Sequence, residues 1–189
     1  RRSRRFVIVS VSHSSPSAPS HGLESYWELD GRPAAMTGEP RTAIELGHLV
    51  LYVRDLKKSL RFYRDALHLE VTATLFKGRA AMLSGGRSHH EIMLIAIGEA
   101  PGPLQGKRLG LYHFAWKVGE DLASLRMIYH RLREMGVTID GMADHTISQS
   151  LYLRDPDGNE VELYVDDPSI DWRNDTTWAS APVKPLQLN

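Results

Sequence analysis

An internal repeat is the feature of this 189-residue sequence that most constrains its fold. Residues from position 48 onward recur at a constant offset of 65 positions (113 − 48 = 65). The matching pairs are His48 with His113, Val53 with Val118, Leu60 with Leu125 and Leu67 with Leu132. Each copy has the hydrophobic pattern of a strand, a helix and three more strands. The repeat therefore predicts two tandem βαβββ modules.

Hydrophobic periodicity sets the expected elements within each copy. Asp55 precedes an amphipathic segment that extends to Leu67, which predicts a capped helix. The second helix is predicted over Asp121–Met135 and ends at Gly136. The predicted strands begin near Leu46 and cover Glu70–Phe76, Arg79–Ser84, His90–Ile97, Tyr112–Val118, Val137–Met142, Ser148–Arg154 and Glu160–Val165.

These elements place the chain in the α+β class. Two βαβββ modules lying side by side, with helices outside and strands curved inward, form one half-open barrel whose concave face can hold a ligand. The predicted domain covers residues 44–168, with module one at 46–98 and module two at 110–166. Residues 1–43 are rich in Ser, Pro and Arg and are predicted to be a low-complexity N-terminal extension. Residues 169–189 are predicted to form an irregular C-terminal arm over the domain.

Composition excludes several kinds of site and partner. The 23 basic and 23 acidic residues cancel, so the chain lacks the positive charge of a nucleic-acid-binding protein. No apolar run approaches the roughly 20 residues that a membrane-spanning helix needs, and we expect a cytoplasmic protein. The absence of cysteine excludes thiolate catalysis and Cys-type metal sites. Histidine and carboxylate are therefore the expected metal ligands.

Strand alternation brings three such residues to the concave face. Glu162 lies between Val161 and Leu163, which share the opposite, apolar face. His113 faces the concavity because its strand neighbours with bulky side chains face the helices, and His48 occupies the equivalent repeat position. Taken singly, each of these residues is more often solvated or satisfied in the core. Together, two histidines and one carboxylate from three strands predict a metal site with open positions, a set that suits Fe(II).

Several motifs resemble one family. The stretches Gly47–Val53 (GHLVLYV), Leu111–Trp116 (LYHFAW) and Asp155–Tyr164 (DPDGNEVELY) resemble the vicinal oxygen chelate superfamily, which includes glyoxalases, bleomycin resistance proteins and dioxygenases. His145–Glu162 resembles the signature of its type I extradiol ring-cleavage dioxygenases. It matches the His, the Leu-Tyr pair, the Asp-Pro-x-Gly turn and the final Glu. The resemblance covers about Ile44 to Pro168.

The resemblance implies a non-haem Fe(II)-dependent extradiol dioxygenase that cleaves a catechol-type ring with O₂. Its partners would be a small aromatic diol and O₂, its substitute metal Mn(II), and its assembly a homo-oligomer. The implied residues are the metal ligands His48, His113 and Glu162, the acid/base His90, and the substrate-contacting His145 and Tyr152.

Two alternatives stay open. A glyoxalase-like metal-dependent isomerase or lyase would need a fourth ligand from the fourth strand. Ile92–Ile97 contains no carboxylate or histidine, and only Glu91 at its edge could substitute. A non-enzymatic ligand-sequestering protein of the same fold, like the bleomycin-binding members, needs no metal triad.

Overall fold

The computed structural model describes residues 43, 45–103, 106–107, 109–175 and 177–188. The predicted extension at residues 1–43 therefore lies outside the described residues, except for its last position. Within the described ranges, no helix is both long enough and apolar enough to cross a membrane.

Module one confirms the predicted order of one strand, one helix and three strands. Its strand order is β1-β4-β3-β2, with β1 parallel to β4 and the other pairs antiparallel. The elements are β1 (Leu49–Val53), α1 (Leu56–Leu60), a π-helix (Arg61–Ala66), β2 (Glu70–Leu75), a 3₁₀ turn (Phe76–Gly78), β3 (Ala80–Ser84) and β4 (Ile92–Ala96).

Module two repeats this topology. Its strand order begins β5-β8-β7-β6, again with the first pair parallel and the next two antiparallel. The elements are β5 (His113–Lys117), α2 (Leu122–Glu134), β6 (Ile139–Asp144), β7 (Ser148–Arg154) and β8 (Glu160–Asp166). The tight turn predicted between β7 and β8 is present, and Gly158 takes a φ of 93° there, a left-handed conformation that glycine adopts without a steric penalty.

The first helix differs from the uniform α-helix that the sequence predicts. The Asp55 carboxylate caps its start by accepting hydrogen bonds from the next turn's amides, as expected. After Leu60 the helix widens, and the Leu67 amide bonds the Phe62 carbonyl, five residues back. Such a π-turn holds one extra residue, and the adjacent Phe62 and Tyr63 are both buried.

One continuous hydrophobic core lies between the helices and one face of both sheets. Leu51 and Val53 in β1 are buried, whereas Val50 and Tyr52 are 46% and 69% exposed on the other face. The apolar residues of β8 are fully buried in the same way. The predicted strand phase is therefore confirmed, and it leaves a second sheet face in each module free for a site.

Two polar contacts join module one to the turn between β7 and β8. The buried Tyr63 hydroxyl donates to Asp155 Oδ2 at 2.7 Å. Burial, together with the adjacent Asp155 carboxylate, raises the Tyr63 pKa well above its usual value. Arg54 Nη1 donates to Asp157 Oδ1 at 2.9 Å, and its Nη2 donates to the Ala100 carbonyl. These bonds fix the turn that leads into β8.

The C-terminal arm is more regular than predicted. After a 3₁₀ turn at Thr177–Ser180, residues Lys184–Pro185 form β9, which pairs antiparallel with β6 and becomes the fifth strand of the second sheet. Leu188 is fully buried in the common core. The arm forms this strand because the outer edge of β6 otherwise leaves backbone groups without partners, and a two-residue strand gives too short a pattern for recognition from sequence.

Candidate metal and substrate site

A chain of four polar side chains lies on the free face of module two. His145 Nε2 is 2.7 Å from the Tyr152 hydroxyl, which donates to Glu162 Oε1 at 3.0 Å. The other carboxylate oxygen of Glu162 is 3.0 Å from His113 Nε2. Four of the six residues proposed for the site from the sequence are thus in direct contact with one another.

Strand register explains this grouping. Tyr152 in β7 lies directly opposite Glu162 in β8, and Glu162 lies opposite Ala115 in the parallel neighbour β5. His113 begins β5 two residues earlier, on the same face as Ala115 because strand side chains alternate. His145 enters from the turn between β6 and β7, beside the start of Tyr152's strand.

The direction of each hydrogen bond follows from the donors available. Tyr152 has one hydroxyl proton, which it donates to Glu162, so His145 Nε2 must carry a proton and donate to the tyrosine oxygen. Burial, and then the charge of Glu162, raise the pKa of Tyr152 to about 12. Tyr152 is therefore a neutral hydroxyl donor near neutral pH.

Glu160 is a site residue that the sequence reasoning missed. It lies opposite His113 in the β5–β8 ladder, and its Oε1 is 3.7 Å from His113 Nδ1. That nitrogen is buried and has no hydrogen-bond partner. The sequence feature that could have identified Glu160 is its position two residues before Glu162, on the same face of the strand. A histidine that binds a metal through one nitrogen usually donates the other to a carboxylate or carbonyl, and Glu160 is placed to accept it.

A second cluster lies in module one. His48 directly precedes β1 with its side chain exposed, and its ring centroid is 4.5 Å from that of the buried His90. His90 Nδ1 also contacts Nδ1 of His89, a neighbour to which the sequence analysis gave no role. Burial, followed by electrostatic coupling to the neighbouring imidazoles of His89 and His48, lowers the pKa of His90. His90 is consequently a neutral imidazole near neutral pH.

The two clusters divide the predicted metal ligands. His113 and Glu162 contact each other, while the His48 ring contacts that of His90 at an interplanar angle of 37°. Across the described ranges, no three His, Asp or Glu side chains lie close enough together to hold a metal ion. The donor set still fits a divalent metal chemically, since it offers imidazole and carboxylate groups, and the buried Nδ1 of His113 has Glu160 nearby to orient the ring. The complete triad stays a prediction.

Glu91, the one candidate for a fourth ligand, is engaged elsewhere. Its two carboxylate oxygens accept the amides of Gly85 and Ser88 at 2.6 and 2.7 Å. Burial alone would raise the Glu91 pKa, but these amide hydrogen bonds outweigh it and lower the pKa. Glu91 therefore stabilises the turn between β3 and β4.

Tyr112 is a further residue at the edge of the site. It precedes β5, is 76% exposed, and its ring centroid is 4.9 Å from that of His113. An exposed aromatic ring beside a candidate ligand can stack on a planar substrate. The sequence shows only an aromatic residue next to His113, with no sign of its exposure.

Comparisons with known proteins agree with this architecture. Catechol-2,3-dioxygenase of Bacillus subtilis is 34% identical over 133 residues, 69% of this chain and 44% of that protein. Biphenyl-2,3-diol 1,2-dioxygenase 3 of Rhodococcus globerulus is 33% identical, over 69% of this chain and 66% of that protein. Glutathione transferase FosA of Serratia marcescens is 32% identical, over 64% of this chain and 79% of that protein. The chain thus spans less than two thirds of either dioxygenase.

The fold has close structural counterparts. A glyoxalase/dioxygenase crystal structure from Nostoc punctiforme superposes with a TM-score of 0.60 and 19% identity, over 71% of this chain and 99% of that one. The sequence profile of the Glyoxalase/Bleomycin resistance protein/Dioxygenase superfamily matches residues 45–163, which include both modules. The chain therefore belongs to the glyoxalase, bleomycin resistance protein and dioxygenase superfamily, as the motifs around its two repeat histidines predict.

Proposed function

We propose that the protein is an Fe(II)-dependent extradiol dioxygenase that opens a catechol-type ring with O₂. The observation that carries this proposal is the continuous contact chain of His145, Tyr152, Glu162 and His113. It joins two proposed metal ligands to two donors for a substrate oxygen. The relatives named as catechol and biphenyl-diol dioxygenases support the same substrate class.

The metal would be held by His48, His113 and Glu162. When bound, Fe(II) supplies a Lewis acid with open positions for two vicinal oxygens and dioxygen. On this chain, His113 and Glu162 are already in contact, and Glu160 is beside the remaining imidazole nitrogen of His113. His48 has an exposed side chain directly before β1, and its ring contacts that of His90.

Tyr152 and His145 would bind and orient the diol. The high pKa keeps the Tyr152 proton in place, so the hydroxyl can donate to a developing negative charge on a substrate oxygen. His145 donates to the same tyrosine oxygen and fixes the side chain's direction. In the structure the Tyr152 proton is donated to Glu162 Oε1, so it would turn to the substrate oxygen once Glu162 binds the metal.

His90 would take the proton that a catechol loses. Its lowered pKa leaves it neutral and able to accept one, and the contacts with His48 and His89 hold its ring in place. An imidazole titrates near working pH, which suits it to both proton acceptance and return.

The competing isomerase or lyase proposal has less support. It requires a fourth ligand, and Glu91 is already bonded to two backbone amides of its own turn. The chain is also similar to glutathione transferase FosA, so the experiment must distinguish ring cleavage from a group-transfer reaction.

An oxygen electrode tests the proposal directly. Protein loaded anaerobically with ferrous iron is given catechol, an alkylcatechol and a biaryl catechol under reducing conditions. The expected result is consumption of one O₂ per ring opened, with both oxygen atoms in the ring-fission product, and no uptake by a Zn(II)-loaded control. Iron-replete protein that consumes no oxygen with any of the three diols would refute the dioxygenase and favour the isomerase or transferase chemistry.

A further inference from the structure

The turn that carries His145 is conformationally strained. Thr146 has a φ of 72°, in the left-handed region that threonine rarely adopts. The Asp144 carboxylate accepts its amide at 2.7 Å, while its hydroxyl is buried without a hydrogen-bond partner. Such strain persists only where surrounding contacts impose it, and it concentrates at functional sites.

The C-terminal arm contacts this turn at both ends. Where the chain leaves β8 for the arm, the Asp167 amide donates to the Ile147 carbonyl at 2.8 Å, one step beyond the Ser148–Asp166 pair. Where the arm finishes, Lys184 pairs with Asp144 in the β6–β9 ladder. The turn between Asp144 and Ile147 is therefore bracketed by two backbone contacts from one segment.

The arm is itself firmly anchored. Leu188 is fully buried in the common core, and Leu186 packs against that core. Between these points and Asp167, local hydrogen bonds such as Ser169 to Asp167 and Asn174 to Asp171 order the intervening turns. A contact made by an anchored segment can hold a strained turn in place.

We propose that residues 167–188 act as a positioning element for His145, holding the strained turn so that the imidazole stays directed at the Tyr152 hydroxyl. The inference rests on the proposed function, in which His145 orients the diol. Among the described residues of the arm, none makes a hydrogen bond, ion pair or ring contact with the proposed metal ligands, so the arm would act through His145. Loss of the arm should therefore impair substrate use and leave the metal bound.

Three variants of the arm test this inference in the full chain. Deleting residues 184–189 removes β9 and Leu188, and Leu188→Ala removes only the core anchor. Val183→Ala changes an exposed side chain on the same arm and serves as the matched control. Leu188→Met, which conserves apolar volume, should restore whatever Leu188→Ala loses.

The expected results are specific to the turn. Amides of residues 145–148 should exchange hydrogen faster in the deletion and in Leu188→Ala, while those of β8 keep their protection. Iron content should match the wild type, and kcat/KM for catechol should fall about 10- to 100-fold. Unchanged exchange at residues 145–148 in both variants would overturn the proposal.

A double-mutant cycle separates positioning from general destabilisation. In a His145→Ala background, Leu188→Ala should cause no further loss of kcat/KM, because its effect passes through the missing imidazole. Additive losses would overturn the proposal. The exchange measurement needs no turnover, so wild-type protein that opens no catechol would refute the proposed function while still deciding whether the arm holds the turn.

Discussion

The two modules share a topology but differ sharply in the chemistry of their free faces. In module two, Glu162 lies opposite Ala115 and Tyr152 lies opposite Glu162. At the corresponding register positions of module one, Met93 lies opposite Val50 and Met82 lies opposite Met93. One copy of the repeat thus carries a carboxylate and a phenol where the other carries two thioethers.

The carboxylates that the modules do share have diverged in use. Glu160 precedes Glu162 by two residues, and Glu91 precedes the corresponding Met93 by two residues. Glu160 is near His113, whereas Glu91 binds the amides of its own turn. A duplicated scaffold can therefore keep its folding pattern while its two copies carry different side chains on the free face. The contribution expected from the other copy is a single ligand, His48, with His90 beside it.

The substitution of Glu162 by alanine should have the largest effect, and that effect should be on metal affinity. Glu162→Ala removes one of three proposed ligands, so metal affinity should fall by more than about 100-fold, beyond what loss of an outer partner causes. Metal titration followed by elemental analysis measures this. Met93→Ala at the equivalent position of module one is the control and should keep full occupancy. Full iron binding by Glu162→Ala would show that the modules do not differ in the way argued above.

Tyr152→Phe should slow turnover without releasing the metal. Loss of one oriented donor costs on the order of 10²–10³ in rate, and phenylalanine retains the ring packing. The readouts are oxygen uptake and iron content measured on the same sample. Tyr164→Phe, on the same face of β8, should behave like the wild type. Metal loss in Tyr152→Phe would instead assign Tyr152 a ligand or scaffold role.

Glu160→Gln should lower metal affinity by about 10- to 100-fold, which is the usual effect of losing a carboxylate that accepts a hydrogen bond from a ligating histidine. The matched change in module one, Glu91→Gln, should leave metal affinity intact and lower stability by about 1.5–3 kcal/mol through its charged hydrogen bonds. Competition titration and urea unfolding measure the two effects. If both variants lost metal equally, Glu91 would belong to the site and the four-ligand alternative would gain support.

The contact between Tyr63 and Asp155 should affect stability alone and leave metal binding unchanged. Tyr63→Phe leaves the packing of a fully buried ring and removes its hydrogen bond to the Asp155 carboxylate. We expect a loss of about 1.5–3 kcal/mol in the free energy of unfolding, with Phe62→Leu as a packing control without a hydroxyl. Urea denaturation followed by fluorescence measures it. Unchanged stability would mean that Asp155 is satisfied by its own turn alone.

The repeat made the fold predictable from sequence. A constant offset, strand alternation and the cap at Asp55 each depend on local residue order, and the structure has strands and helices where they indicate. The π-turn at Arg61–Ala66 and strand β9 were missed because both depend on tertiary packing rather than on a local pattern.

The site was only partly predictable. Alternation places Glu162 and Tyr152 on one face, since that needs only the phase of each strand. The position of Glu160 beside His113 depends on the parallel register between strands that are far apart in sequence. The contact between the His48 and His90 rings depends on side-chain rotation at the start of a strand. Neither is encoded in residue spacing.

The contacts between modules also govern how the chain can fold while it is being made. Arg54 and Tyr63 find their partners 103 and 92 residues later in the sequence. At about 5–20 residues per second of synthesis, module one must wait roughly 5 to 20 seconds before the turn at Asp155 exists. During that interval the Tyr63 hydroxyl and the Arg54 guanidinium are without their carboxylate partners. The contacts between the modules are therefore among the last that a newly made chain can complete.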